Sequence, residues 1–195
     1  MLLKKDFNNL VRQLVPTDDR CPVKIWFQDE ARFGLISDLR RIWAKRGGRP
    51  PRECCIRRDY LYLFSSVCPE SGEIESFISP FANSEAMNYH LTELARNHPD
   101  TRNVVILDGA GWHISKTLEI PENVTLIHLP PYSPELNPTE RLWLYIRDHF
   151  TGNQNFHDLD QLERVLVRVH QTLATRADII KSVTKTTYAE INQSN

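Results

Sequence analysis

At 195 residues the chain has the length of one domain, and 41% hydrophobic with 25% charged residues is enough to bury a core, which excludes disordered and collagen-like chains. No apolar run approaches the roughly eighteen residues of a spanning helix, and MLLKKDFNNL lacks the apolar centre of a secretory signal, so the expected compartment is the cytoplasm, with no membrane partner. The net charge of -1 conceals a segregation: Arg40, Arg41, Lys45, Arg46, Arg49, Arg52, Arg57 and Arg58 stand against Glu53 alone, leaving the rest of the chain at -8.

The first predicted element is a helix over residues 2–14, broken by Pro16, Asp18 and Asp19. From Val23 a strand runs to Asp29, with Val23, Ile25, Phe27 and Asp29 on one face and Lys24, Trp26 and Gln28 on the other. RRIWAKRGGRP reads as a short strand entering a turn at Gly47 and Gly48; DYLYLFSSVCP and GEIESFISP, separated by the Ser71–Gly72 turn, complete an antiparallel meander. Asn83 to Asn97 suits a helix that buries Ala86, Met87, His90, Leu91 and Leu94. NVVILD, at 103–108, has the nearly unbroken apolar run of a strand covered on both faces in a parallel arrangement, and VTLIHLP, at 124–130, is a further strand. PPYSPELNP is a proline-set loop, after which Asn137 caps a helix with Pro138 at its first position, extending to Phe150. A last helix starts near Asp158, with Gln161 placed as in a capping box, and buries Leu162, Val165, Leu166, Val169 and Leu173. The pattern is α/β, a mixed sheet flanked by helices. Cys21, Cys54, Cys55 and Cys68 have no paired spacing and read as reduced packing residues.

Three of these elements carry an acid where core-building would not place one: Asp29, Asp108 and Glu140. Each alone has an ordinary explanation. Glu140, three residues after Asn137, could complete a capping box; Asp108 before Gly109 could open a turn; Asp29 could be a surface acid, with Glu30 the functional one instead. Taken together, strands 23–29 and 103–108 lying parallel and about 4.8 Å apart bring Asp29 and Asp108 to one edge, and a helix crossing that edge adds Glu140. Three hard oxygen donors suit Mg²⁺ or Mn²⁺, and two such ions about 3.5 to 4 Å apart support an in-line displacement at phosphorus. His113 and His128 read as hydrogen-bonded structural residues rather than ligands, and Trp112, Trp143 and Tyr145 as core rather than base-stacking groups. No phosphate loop of the Walker type is present. The basic residues from Arg40 to Arg58 form either a solvated hairpin or a contact to a phosphate backbone.

Four words, QDEARFGL, IWAKRGGRP, LDGAGWHISK and LPPYSPELNPTERLW, resemble the catalytic domain of mariner-type DDE transposases of the bacterial insertion-sequence branch. The likeness runs from position 23 to about 150. It implies an RNase H-like, five-stranded mixed sheet over residues 21–195, with Asp29, Asp108 and Glu140 as the catalytic, metal-binding acids for two Mg²⁺ ions, Mn²⁺ substituting. It also implies cleavage of DNA at transposon ends, transfer of the freed 3′-hydroxyl into target DNA, and a homodimeric or larger synaptic assembly. Arg40, Arg41, Lys45, Arg46, Arg49 and Arg52 then become candidate DNA contacts, and the enzyme is nucleoid-associated when bound. Such transposases carry helix-turn-helix modules before this domain, and residues 1–20 read as the linker helix left from that region. The chain is then one half of a split reading frame, with a helix-turn-helix half encoded upstream, or a truncated relic without catalysis. A stand-alone RNase H-like nuclease is the competing enzyme.

Overall fold

The computed structural model describes residues 21–36, 38–40, 45–48, 57–111, 113, 115, 117–130 and 133–186. The elements in chain order are β1 (Val23–Gly34), β2 (Tyr60–Cys68), β3 (Glu73–Ser79), α1 (Ser84–Asn97), β4 (Arg102–Leu107), β5 (Val124–His128), α2 (Thr139–Ile146), α3 (Leu159–Ala174) and α4 (Ala177–Thr184). The sheet has five strands in the order β3-β2-β1-β4-β5; β1, β2 and β3 form the antiparallel meander, while β4 and β5 join parallel to β1. Four helices flank it, so the expected mixed sheet is present. The helix expected over 2–14 lies outside the described residues, as do positions 41–44 of the short strand expected within RRIWAKRGGRP and Cys54, Cys55, Arg41, Arg49, Arg52 and Trp112.

Both sheet faces are covered: β4 is apolar on both sides, and β1 puts Ile25 and Phe27 on one face and Trp26 on the other. On one face Ile25, Phe27, Phe33, Val104 and Ile106 pack with Leu142 and Trp143 of α2 and with Leu162, Leu166, Val169 and Leu173 of α3. On the other, Trp26, Phe64, Val105 and Leu107 meet Met87, Leu91 and Leu94 of α1. The residues expected to be buried on α1 are the ones that are, and the Asn83 side chain caps the helix by accepting from the Ala86 N–H at 2.9 Å. Asp158 caps α3 in the same way, accepting from the Gln161 N–H at 2.7 Å, although Val165 is only half-buried. Cys68 is buried in the core, whereas Cys21, expected to pack there too, is exposed.

Three boundaries differ from the sequence reading. β1 does not stop at Asp29 but continues to Gly34, because Ala31 and Phe33 extend the buried alternation along β2. The helix from Asn137 is α-helical only to Ile146, and the chain then widens into a π turn over Arg147–Thr151, closed by the Gly152 N–H on the Arg147 carbonyl at 2.6 Å. A Cβ at Gly152 would lie 2.3 Å from that carbonyl oxygen, so only glycine permits this closure. The short helix α4 lies beyond the last element expected.

Candidate active site

β1 changes partners in its middle. It pairs with β4 in parallel from Val23 to Phe27 and with β2 in antiparallel from Phe27 to Gly34. Continuing the parallel register beyond its last pair, Phe27 with Ile106, sets Asp29 opposite Asp108. The two acids therefore stand at the point where the β1–β4 ladder ends, the position at which open α/β sheets place their ligands.

The loop ahead of α2 closes on this point through hydrogen bonds to β1. The Asn137 amide donates to the Gln28 carbonyl at 2.9 Å while its oxygen accepts from the Thr139 N–H at 3.1 Å; the Thr139 hydroxyl donates to the Phe27 carbonyl at 3.0 Å. α2 begins at Thr139 with Pro138 rather than the expected Asn137 as its N-cap, and no side chain caps it; Asn137 instead closes a turn onto the Thr139 N–H and ties it to the strand. In the first turn of α2 Glu140 is exposed, and three residues on, on the same side of the helix, the buried Trp143 donates its indole N–H to Asp29 Oδ2 at 2.8 Å.

Asp29 is half-buried, and its carboxyl is pushed up to about 7. Burial is the main cause, the Trp143 hydrogen bond opposes it, and the neighbouring carboxylates of Glu30 and Glu140 add to it. Glu30 points to the opposite face of β1, where Oε1 accepts from Gln28 Nε2 at 2.9 Å and lies 2.8 Å from His113 Nε2. Asp108 is 60% exposed, yet Oδ1 accepts from the Ala110 N–H at 2.9 Å and lies 2.8 Å from His113 Nδ1. Asp108 therefore opens a turn, as its ordinary reading held, and binds His113 as well. His113 is buried with a carboxylate on each ring nitrogen. Burial works against its charged form, but Glu30 and Asp108 outweigh that and hold its pKa above the usual value.

Among the described residues, no three His, Cys, Asp or Glu side chains are gathered closely enough to hold a metal ion. The acids of this region are nonetheless hard oxygen donors, the chemical type a divalent cation prefers. Asp29, Glu140 and Asp108 offer carboxylate oxygens, and the like charges that raise Asp29 are what a cation would offset. His128 donates to, or accepts at, no acid among its described contacts; its Nε2 meets the His113 carbonyl at 3.1 Å. Tyr145 stacks on His149 away from the acids, at a centroid distance of 4.0 Å. Sequence reasoning missed the role of Trp143 beside Asp29 and the link from Glu30 through His113 to Asp108. The first had a signal, since Trp143 is one helical turn from Glu140; the second joins residues 83 positions apart and had none.

Of the basic run, Arg40 pairs with Asp38 at 3.1 Å and Asp148 at 3.5 Å, and Lys45 and Arg46 flank a turn closed by the Gly48 N–H on the Lys45 carbonyl. Arg40 also lines a cavity of about 740 Å³ at the far end of β1, with Arg32, Arg58, Tyr60, Arg147 and Phe156. None of the three acids lines that cavity.

The sequence profile of the DDE superfamily endonucleases matches residues 24–163, which takes in β1, β4, α2 and all three acids. The chain belongs to this family. A Sinorhizobium fredii relative, the uncharacterized protein y4pE/y4sA, is 43% identical over 104 residues, 53% of this chain and 77% of the relative. The DDE domain also shares its fold with the Mos1 transposase. The Mos1 strand transfer complex matches with a TM-score of 0.58 at 15% identity, over 95% of this chain and 60% of that one. The Mos1 paired-end complex with Mg matches with a TM-score of 0.59 at 16% identity, over 97% and 62%; the one with Mn gives 0.59 at 13%, over 96% and 60%. The domain spans about 60% of the length of those transposase chains. No helix among the described residues is long and apolar enough to cross a membrane.

Proposed function

We propose that the chain is the catalytic domain of a DNA transposase, cutting DNA at the ends of an element and joining the freed 3′-hydroxyl to target DNA. The observation that supports this reading is the β1–β4 register, whose continuation past Phe27 and Ile106 would set Asp29 opposite Asp108, with Glu140 of α2 among the charges that raise the Asp29 carboxyl. Membership of the DDE endonucleases and the Mos1 fold support it.

Asp29, Asp108 and Glu140 would hold two Mg²⁺ ions, or Mn²⁺ in their place. Such ions supply activation of the attacking oxygen and stabilisation of the leaving one. The protein's share is placement. The ties of Asn137 and Thr139 to β1 fix the helix carrying Glu140 against the strand carrying Asp29, and the Trp143 indole fixes the Asp29 carboxylate. Arg40, Arg41, Lys45, Arg46, Arg49 and Arg52 would contact the DNA backbone, an attraction that weakens as salt rises. A second copy of the chain would hold the other element end, as in the Mos1 paired-end complex with its transposon end. A helix-turn-helix half encoded upstream would supply end recognition, and the bacterial cytoplasm is the compartment. No observation of its own favours a stand-alone nuclease.

The test is Asp108→Asn, made in the chain joined to its upstream DNA-binding half. Mg²⁺-dependent nicking of a duplex element end should fall by at least about 10²- to 10³-fold, the usual loss on removing one transition-state stabiliser. Undiminished nicking would remove Asp108 from the site.

A further inference from the structure

The loop after β4 is held by a bridge that the proposed chemistry does not use. Its middle member, His113, is 1% exposed, and each ring nitrogen lies 2.8 Å from a carboxylate, Nδ1 from Asp108 and Nε2 from Glu30. Glu30, with 7% of its side chain exposed, is in turn held by Gln28 Nε2 at 2.9 Å. Gln28 and Glu30 are β1 residues on either side of Asp29, projecting to the face opposite it. The bridge therefore runs from the strand that carries the first acid, under the end of the sheet, to the second acid. It does so just past Leu107, where β4 ends and ladder pairing no longer fixes the spacing. The His128 ring at the end of β5 meets the His113 carbonyl at 3.1 Å, and the His113 N–H donates to the Ala110 carbonyl at 2.9 Å, so the middle member is held on its backbone too. The contacts on Oδ1 from His113 and Ala110 set the plane of the Asp108 carboxylate and leave Oδ2 with no described partner.

We propose that His113 is a positioning residue, which with Glu30 clamps Asp108 to β1 and fixes the aim of Oδ2 toward the metal position. This rests on the reading of Asp29, Asp108 and Glu140 as cation ligands. Hydrogen-bonded partners behind a ligating carboxylate orient it, and losing one typically weakens metal binding by about 10- to 100-fold.

The experiment titrates the full chain with Mn²⁺ alone, reading the dissociation constant from water-proton relaxation, with the thermal midpoint followed for each variant. Asp108→Ala, as the reference, should abolish the tighter binding. His113→Ala and Glu30→Ala should each weaken it by about 10- to 100-fold. The double variant should bind no worse than the weaker single one, because both cut the same bridge. His113→Gln, whose amide still donates to Asp108, should recover part of the loss. Parental Mn²⁺ binding in folded His113→Ala, or single losses that multiply in the double variant, would overturn the clamp while leaving the acids in place. Should the alanine unfold the domain, Glu30→Leu fills the same space without an acceptor for His113; a fall of about 10-fold supports the clamp, and parental binding overturns it. Binding untouched by Asp108→Ala would instead overturn the reading of the acids and the clamp with it.

Discussion

The two faces of the sheet each bury a titratable side chain, and they treat it in opposite ways. On the α1 face, His90 is enclosed by Phe64 and Phe77 and shares one hydrogen bond with the Ser66 hydroxyl at 2.7 Å. Burial pushes its pKa down to about 4, so it sits neutral in the core. On the α2 face, Asp29 is also desolvated, but its neighbours include Glu30 and Glu140, which share its sign. The first arrangement is self-sufficient. The second has an uncompensated charge, and such like-charged clusters are where function is found. Burial of a titratable group is thus a poor guide to a site until the charge of its neighbours is known.

The largest expected effect separates the two residues by activity. In an assay of Mg²⁺-dependent nicking, Asp29→Asn should lower the rate by at least about 10²-fold, whereas His90→Asn should leave it within about threefold of the parent. A comparable loss in both would erase the contrast.

Next comes pH. The folded pKa of Asp29 is raised from 3.8 to about 7, so its contribution to stability is complete below about 4 and is lost as pH rises through 7. The folded pKa of His90 is lowered from 6.5 to about 4, so its contribution is present above 6.5 and is lost as pH falls through 4. Without metal, the thermal midpoint of the parent should fall relative to that of Asp29→Asn as pH rises from about 4 to 7, by a few degrees, and the difference should level off above that. His90→Asn should remove the opposing rise between about pH 4 and pH 6.5 and leave the fall above that unchanged. The smallest effect belongs to Trp143→Phe. Loss of the indole donor and some packing should cost about 1 to 3 kcal/mol by urea unfolding, and should move the decline assigned to Asp29 to higher pH, since that hydrogen bond favours the carboxylate.

Much of this was legible in the residues because it is periodic or local. The α1 face was written in three- and four-residue steps, the caps at Asn83 and Asp158 in single letters, and the parallel β4 in its unbroken apolar run. The extent of β1 was not, because Glu30 and Arg32 look like the start of a polar turn. Glu30 is buried only because His113 arrives from far along the chain. Trp143 was legible as core and is core, at 2% exposure, but its single polar atom does the orienting. The widening of the chain after Ile146 depends on a backbone closure at Gly152 that helical periodicity does not encode.

One edge of β1 loses its strand partner after Phe27, and the side chains of Asn137 and Thr139 take the Gln28 and Phe27 carbonyls there. The helix bearing Glu140 is consequently registered to the strand bearing Asp29 by directional bonds rather than by the shape of the apolar core beneath it. Apolar residues under α2, such as Leu142 and Ile146, can then drift in size at a cost in stability while the acids keep their alignment. Replacing Asn137 or Thr139, by contrast, would loosen α2 from β1 while leaving the apolar packing beneath it intact.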